Sequence, residues 1–102
     1  MMMNLNRNEL LSDIAIQRGI GQLHPGWVRK GDMLVKTYSF KTFPAGINFV
    51  VRVAQAAETA GHHPDIDIRY TKITCALTTH DSGGITQKDL DMANEIDFAA
   101  ER

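Results

Sequence analysis

An α+β fold is what the sequence predicts: a four-stranded antiparallel sheet with three helices packed on one face. Three patterns predict it. Two separate stretches alternate apolar and polar residues on either side of a short turn, as hairpins do. Between them runs a long apolar stripe at helical spacing. A capping sequence opens a final amphipathic segment. Hairpins imply antiparallel pairing, and helices segregated to one face of a sheet leave two layers around one core. The predicted order is α-β-β-α-β-β-α.

Ser12 is placed to cap the first helix, with Ile14, Ile16 and Ile20 as its apolar contacts. Leu10 and Leu11 can extend it backward, while Gly19 and Gly21 weaken its end. His24-Pro25-Gly26 turns the chain. Trp27 and Val28 begin a strand, Lys30-Gly31-Asp32 is a turn, and Met33 to Phe40 returns. On the returning strand Leu34, Lys36, Tyr38 and Phe40 share one face; Met33, Val35, Thr37 and Ser39 share the other.

Pro44 suits the first position of the second helix, where a missing N–H costs nothing. Ile47, Val50, Val51, Ala54 and Ala57 form its stripe, widened by Phe49 and Val53, and Gly61 fits the position just past its end. Ile66, Ile68 and Tyr70 alternate with polar residues, as do Ile73, Cys75 and Leu77, with Thr71-Lys72 at the bend. Asp81-Ser82-Gly83-Gly84 is a loop. Thr86 to Asp89 then forms a [ST]-x-x-[DE] capping box for a last helix carrying Leu90, Ala93, Ile96 and Ala100.

The 102 residues suit one domain. A chain this short buries roughly 60–70% of its unfolded surface, enough for a modest core. Residues 1–11 read as an N-terminal extension able to join the first helix, and residues 12–102 as the domain. A hydrophobic content of 43% argues against disorder. With a net charge of −1 and scattered Lys and Arg, nothing points to a nucleic acid or a membrane surface. Met1-Met2-Met3 precedes polar Asn4, Asn6, Arg7 and Asn8, which is no signal peptide, and no apolar run is long enough to span a bilayer. A cytoplasmic location is expected. Cys75 is the only cysteine, so no internal disulfide forms, which fits a reducing compartment. Its place in an alternating strand marks a small buried residue, with no partner evident to activate the thiol.

Chemistry concentrates at three of the four histidines. His62 and His63 follow the helix end at Gly61, and His80 closes the apolar run that ends at Thr79. Histidine gives and takes protons near neutral pH, so acid-base chemistry on a small neutral substrate is expected. His63 precedes Pro64, which pushes it into extended backbone. Neighbours in extended chain point apart, so the two imidazoles are not expected to do the same job. Glu58 lies four residues before His62; on a continuing helix its carboxylate would reach that ring, but spacing alone favours a solvated surface glutamate. Capping explains Asp89 without catalysis, and Trp27 and Phe43 read as core or pocket wall. His62, His63, His80 and one of Glu58, Asp65 or Asp81 are potential metal ligands, but adjacent histidines do not match the helical i, i+4 pair and no cysteine cluster supports them. Acid-base use is the stronger reading. Ser82 lies near His80, yet nothing around it resembles a nucleophile elbow.

Together these residues resemble the pterin-4a-carbinolamine dehydratases. The resemblance centres on Glu58-Thr59-Ala60-Gly61-His62-His63-Pro64 and continues through Tyr70, Thr79-His80, Gly83-Gly84 and Asp89. Gly26-Trp27, Phe40 and Phe43 fit its first half, and the match runs from about Ser12 to the C-terminus. It implies dehydration of 4a-hydroxytetrahydrobiopterin, or a related pterin, to quinonoid dihydropterin and water. That is a hydro-lyase step recycling the pterin of aromatic amino-acid hydroxylases. It implies no redox cofactor and no metal. By position, His62 is the main acid or base at the 4a-hydroxyl, His80 the second, and His63 holds the ring and aids proton transfer. Glu58, Thr79 and Asp81 are candidates for substrate binding. The same fold is implied, as is a homodimer or homotetramer, with a hydroxylase as a possible partner. The alternatives are a binding or regulatory role toward a hydroxylase or transcription factor, and action on another pterin such as a molybdopterin-related one.

Overall fold

The structure is a computed structural model that describes residues 6–101. The N-terminal reading on Met1-Met2-Met3 and Asn4 therefore lies outside the described residues. The elements run α1 (Asp13–Gly21), β1 (Val28–Lys30), β2 (Met33–Ser39), α2 (Phe43–Ala60), β3 (Asp65–Arg69), β4 (Lys72–Leu77) and α3 (Gln87–Ala100). The predicted order holds. All neighbouring strands are antiparallel, and the sheet order is β1-β2-β4-β3, so the two hairpins meet along β2 and β4.

The core lies between the helices and one sheet face. Leu34 and Tyr38 of β2 and Ile73, Cys75 and Leu77 of β4 point into it. From the helices come Ile16, Phe49, Val53, Ala57, Ala93 and Ile96. At about 1.5–3 kcal/mol for each large apolar side chain, this layer supplies most of the driving force.

Several local expectations shift. The side chain of Ser12 caps α1 through the Ala15 amide (3.1 Å), so Leu10 and Leu11 precede the helix. Ile16 is buried but Ile14 is exposed, because residues two apart lie on opposite sides of a helix. Gly19 is a contact point: a Cβ there would run into the end of the Leu90 side chain of α3, which would have to shift to make room. The buried stripe of α2 is Gly46, Phe49, Val53 and Ala57, with Val51 and Ala54 turned outward. Thr42 caps that helix, making Pro44 its second residue. The β3–β4 turn is Tyr70-Thr71, while Lys72 pairs with Arg69. Tyr70 has φ 53°, is 74% exposed and stacks on half-exposed Phe43, with ring centroids 6.4 Å apart. Phe43 is thus neither core nor lining of the histidine cleft, whereas Trp27 is core.

Lys36, expected on the inward face, does point inward. Asp97 of α3 meets its ammonium at 2.7 Å and also accepts from Trp27 Nε1 (3.0 Å), Tyr38 OH (2.5 Å) and the His24 amide (3.3 Å). Burial and the neighbouring Asp97 push the Tyr38 hydroxyl well above its ordinary value, and the Cys75 thiol up to about 12. That keeps Cys75 protonated and inert, as its strand position suggested.

Candidate functional site

Gly61 makes the site possible. It takes the left-handed conformation (φ 66°), its N–H bonds to Glu58 O (3.3 Å), and the His62 N–H bonds to Ala57 O (3.2 Å). This paired closure ends α2 cleanly. Pro64 then keeps His63 extended, and the two imidazoles diverge. The His62 side chain is 13% exposed and that of His63 59% exposed.

Each ring meets a different carboxylate. His62 Nε2 lies 2.6 Å from Asp89 Oδ1, and His63 Nε2 lies 2.6 Å from Glu58 Oε1. An ionised carboxylate only accepts, so Nε2 carries the proton in both rings and Nδ1 is left for chemistry. The Glu58–His62 contact that a continuing helix would allow does not form. Gly61 reverses the backbone one residue before His62, so helical i, i+4 spacing no longer applies and Glu58 meets His63 instead.

Asp89 is fully buried. Its Oδ2 accepts from the Thr86 amide (2.8 Å), completing the capping box, and from the Thr79 hydroxyl (2.8 Å). The Thr86 hydroxyl in turn donates to Thr79 Oγ1 (2.7 Å). One side chain thereby starts α3, ties down the end of the β4 segment and orients His62. The cap is visible in the sequence; the histidine contact, spanning 27 residues, is not.

Thr79 is buried with its hydroxyl taken up in this network, so it supports the cleft floor. The chain then forms a short 3-10 turn, His80–Ser82, closed by a Thr79–Gly84 bridge. His80 and Asp81 are exposed there, with no side-chain partner among the described residues. Gly61, His62, His63, Thr78, Thr79, His80, Asp81 and Lys88 line one open cleft of about 290 Å³. The three predicted histidines and Asp81 therefore share a site, and Glu58 reaches it through His63. Thr78 and Lys88 are the lining residues that sequence reasoning missed, since neither a strand-end threonine nor a helix-start lysine carries a motif. A larger groove of about 570 Å³ beside Leu10, Leu11 and Ala15 contains no histidine. Among the described residues no group of three or more His, Cys, Asp or Glu is arranged to hold a metal, and no helix is long and apolar enough to cross a membrane.

Comparisons with known proteins bear on the family and the fold. The family described as pterin 4 alpha carbinolamine dehydratase matches residues 9–99. A Roseiflexus sp. (strain RS-1) protein named for pterin-4-alpha-carbinolamine dehydratase is 56% identical over 85% of this chain and 92% of its own. One from Nocardia farcinica, named likewise, is 52% identical over 90% of this chain and 96% of its own. Among solved structures, a transcriptional coactivator/pterin dehydratase from Brucella melitensis superposes with a TM-score of 0.83 at 26% identity, covering 88% of this chain and 97% of that one. A pterin dehydratase-like protein described as a RuBisCO assembly factor in the alpha-carboxysome gives 0.65 at 25% identity, covering 76% and 92%. With the family matched across nearly the whole chain and the same antiparallel fold beneath it, the protein belongs to the pterin 4 alpha carbinolamine dehydratase family.

Proposed function

We propose that the chain dehydrates 4a-hydroxytetrahydrobiopterin, or a close relative, to quinonoid dihydropterin and water. One observation carries this reading: His62 is held by a fully buried carboxylate in a cleft it shares with His63 and His80. In the reaction the C4a–O bond breaks as an acid protonates the hydroxyl. Electrons from the adjacent ring nitrogen form the C4a=N bond, and that nitrogen's proton passes to a base.

His62 serves at the hydroxyl. Asp89 fixes Nε2–H and counters the charge of the doubly protonated ring, leaving Nδ1–H as the donor. His80, exposed and unpartnered among the described residues, is the second acid-base group. His63, oriented by Glu58, holds the ring and aids proton transfer, and Asp81 contributes to binding at the rim. The cleft is at the lower edge of ligand-site volumes, about 300–1,000 Å³, which suits a small bicycle whose side chain extends into solvent. In a cell the step would recycle the pterin of an aromatic amino-acid hydroxylase, with the chain acting as a homo-oligomer.

Stopped-flow absorbance of 4a-hydroxytetrahydropterin decay tests the reading. Wild type is expected to accelerate decay, and folded His62→Ala to lose roughly 10²–10⁴-fold of that acceleration. Near-normal turnover by His62→Ala would remove His62 from its role. No acceleration by wild type would favour a binding role, such as those named for the two structural neighbours.

A further inference from the structure

Lys88 sits where helix electrostatics disfavour it. It is the second residue of α3, at the positive end of the helix, where anionic side chains are the stabilising choice and a cation is not. Its backbone N–H bonds Thr86 Oγ1 at 3.2 Å, as helix capping requires, but its ammonium has no carboxylate partner among the described residues. Of the other charges around the cleft, Asp89 is held by His62, Thr79 and Thr86 and Glu58 by His63, while Asp81 stands exposed at the rim and makes no ion pair with Lys88 among the described residues. The Lys88 side chain is half-buried and lines the same cleft as His62, His63 and His80. A residue that breaks a local rule without a compensating contact inside the protein marks a place where function is expected.

We propose that Lys88 is a substrate-binding residue whose ammonium donates a hydrogen bond to an acceptor oxygen on the pterin ring. An ammonium has three donors and no acceptor, so it recognises only a lone pair. The pyrimidinone carbonyl of a pterin offers one. The pairing also explains division of labour in the cleft: the histidines act on the hydroxyl and the proton, while Lys88 holds a part of the ring that does not react. This inference rests on the pterin reading of the cleft, and it concerns affinity and not the chemical step.

Lys88→Gln and Lys88→Arg separate the possibilities when compared with wild type in two assays. The first is binding of 7,8-dihydrobiopterin, a stable pterin lacking the 4a-hydroxyl, followed by fluorescence. The second is steady-state dehydration. Lys88→Gln is expected to weaken dihydrobiopterin and raise KM by about 10-fold, with kcat changed less than about threefold. Lys88→Arg should restore both to within about threefold. The melting temperature of Lys88→Gln should stay level or rise, since a misplaced cation has left the helix start. A merely structural lysine would instead lower it. Equal binding by wild type and Lys88→Gln overturns the proposal, as does a fall in kcat at constant KM. Binding that Lys88→Gln weakens, in a wild type that turns nothing over, supports Lys88 and overturns the dehydratase reading alone. No dihydrobiopterin binding by wild type overturns both.

Discussion

Helix α3 carries two buried aspartates, Asp89 in its first turn and Asp97 little more than two turns later, and they serve different regions of the protein. Both collect donors from distant strands and loops. Asp97 gathers Trp27, Tyr38, the His24 amide and the Lys36 ammonium, none of which lines the histidine cleft. Asp89 gathers Thr79, the Thr86 amide and His62, and its last partner opens onto the cleft. The difference shows how one helix divides its work. A carboxylate whose partners lie away from the cleft ties elements together, while one whose partner lines the cleft also aims a functional group.

The comparison predicts separable damage. The largest effect on stability is expected from Asp97→Ala. It leaves the Lys36 ammonium buried without its counter-charge and strips the Trp27 and Tyr38 donors of their acceptor. A broken buried pair of this kind costs about 3–5 kcal/mol, a large part of a small domain's total stability. Chemical denaturation would measure it. Activity per folded molecule should survive, and a selective loss of turnover in folded Asp97→Ala would erase the distinction between the two sites.

Asp89→Asn should do the reverse. Shape is kept, but one acceptor becomes a donor, so either the Thr86 amide or His62 Nε2–H loses its partner. About 1–3 kcal/mol of stability follows from the unsatisfied group. Turnover should drop roughly 10²-fold or more, because His62 loses both its orientation and its counter-charge. Nitrogen NMR shifts of His62 would show the proton moving from Nε2 to Nδ1. An unchanged tautomer with unchanged rate would reduce Asp89 to the cap that its sequence position suggests.

The smallest effect sharpens the Asp97 side through pH. Burial first, and Asp97 next, raise the proton affinity of Cys75 to about 12 from an ordinary 9.0, and Tyr38 shifts the same way. The folded state therefore keeps protons that the unfolded chain releases. This contribution is fully present below about pH 9 and is lost as pH climbs toward 12. Denaturation midpoints should hold level up to pH 9 and then fall, with a shallower fall in Cys75→Ala. An identical slope in Cys75→Ala would show that the thiol takes no part.

Much of this was legible in the sequence, and the legible parts share a cause. Ser12 and the Thr86–Asp89 box as caps, Gly61 as the end of α2, the two hairpins, and divergent His62 and His63 all follow from residues within a few positions of each other. Capping, left-handed glycine and proline restriction are local physics. Errors were local too where two elements compete: Tyr70 entered the turn instead of the strand, and the α2 stripe rotated away from Val51 and Ala54 because sheet packing chooses which apolar residues face inward.

The sequence by itself determined the element order, the caps and the set of histidines near one another. Only the tertiary structure decided which carboxylate serves which ring. Asp89 reaches His62, Glu58 falls to His63, and Asp97 draws in Lys36, because those partners depend on where α3 lies across the sheet and α2. That placement is set by the burial of Phe49, Ile73, Ala93 and Ile96 together, a sum over distant residues that no spacing along the chain records.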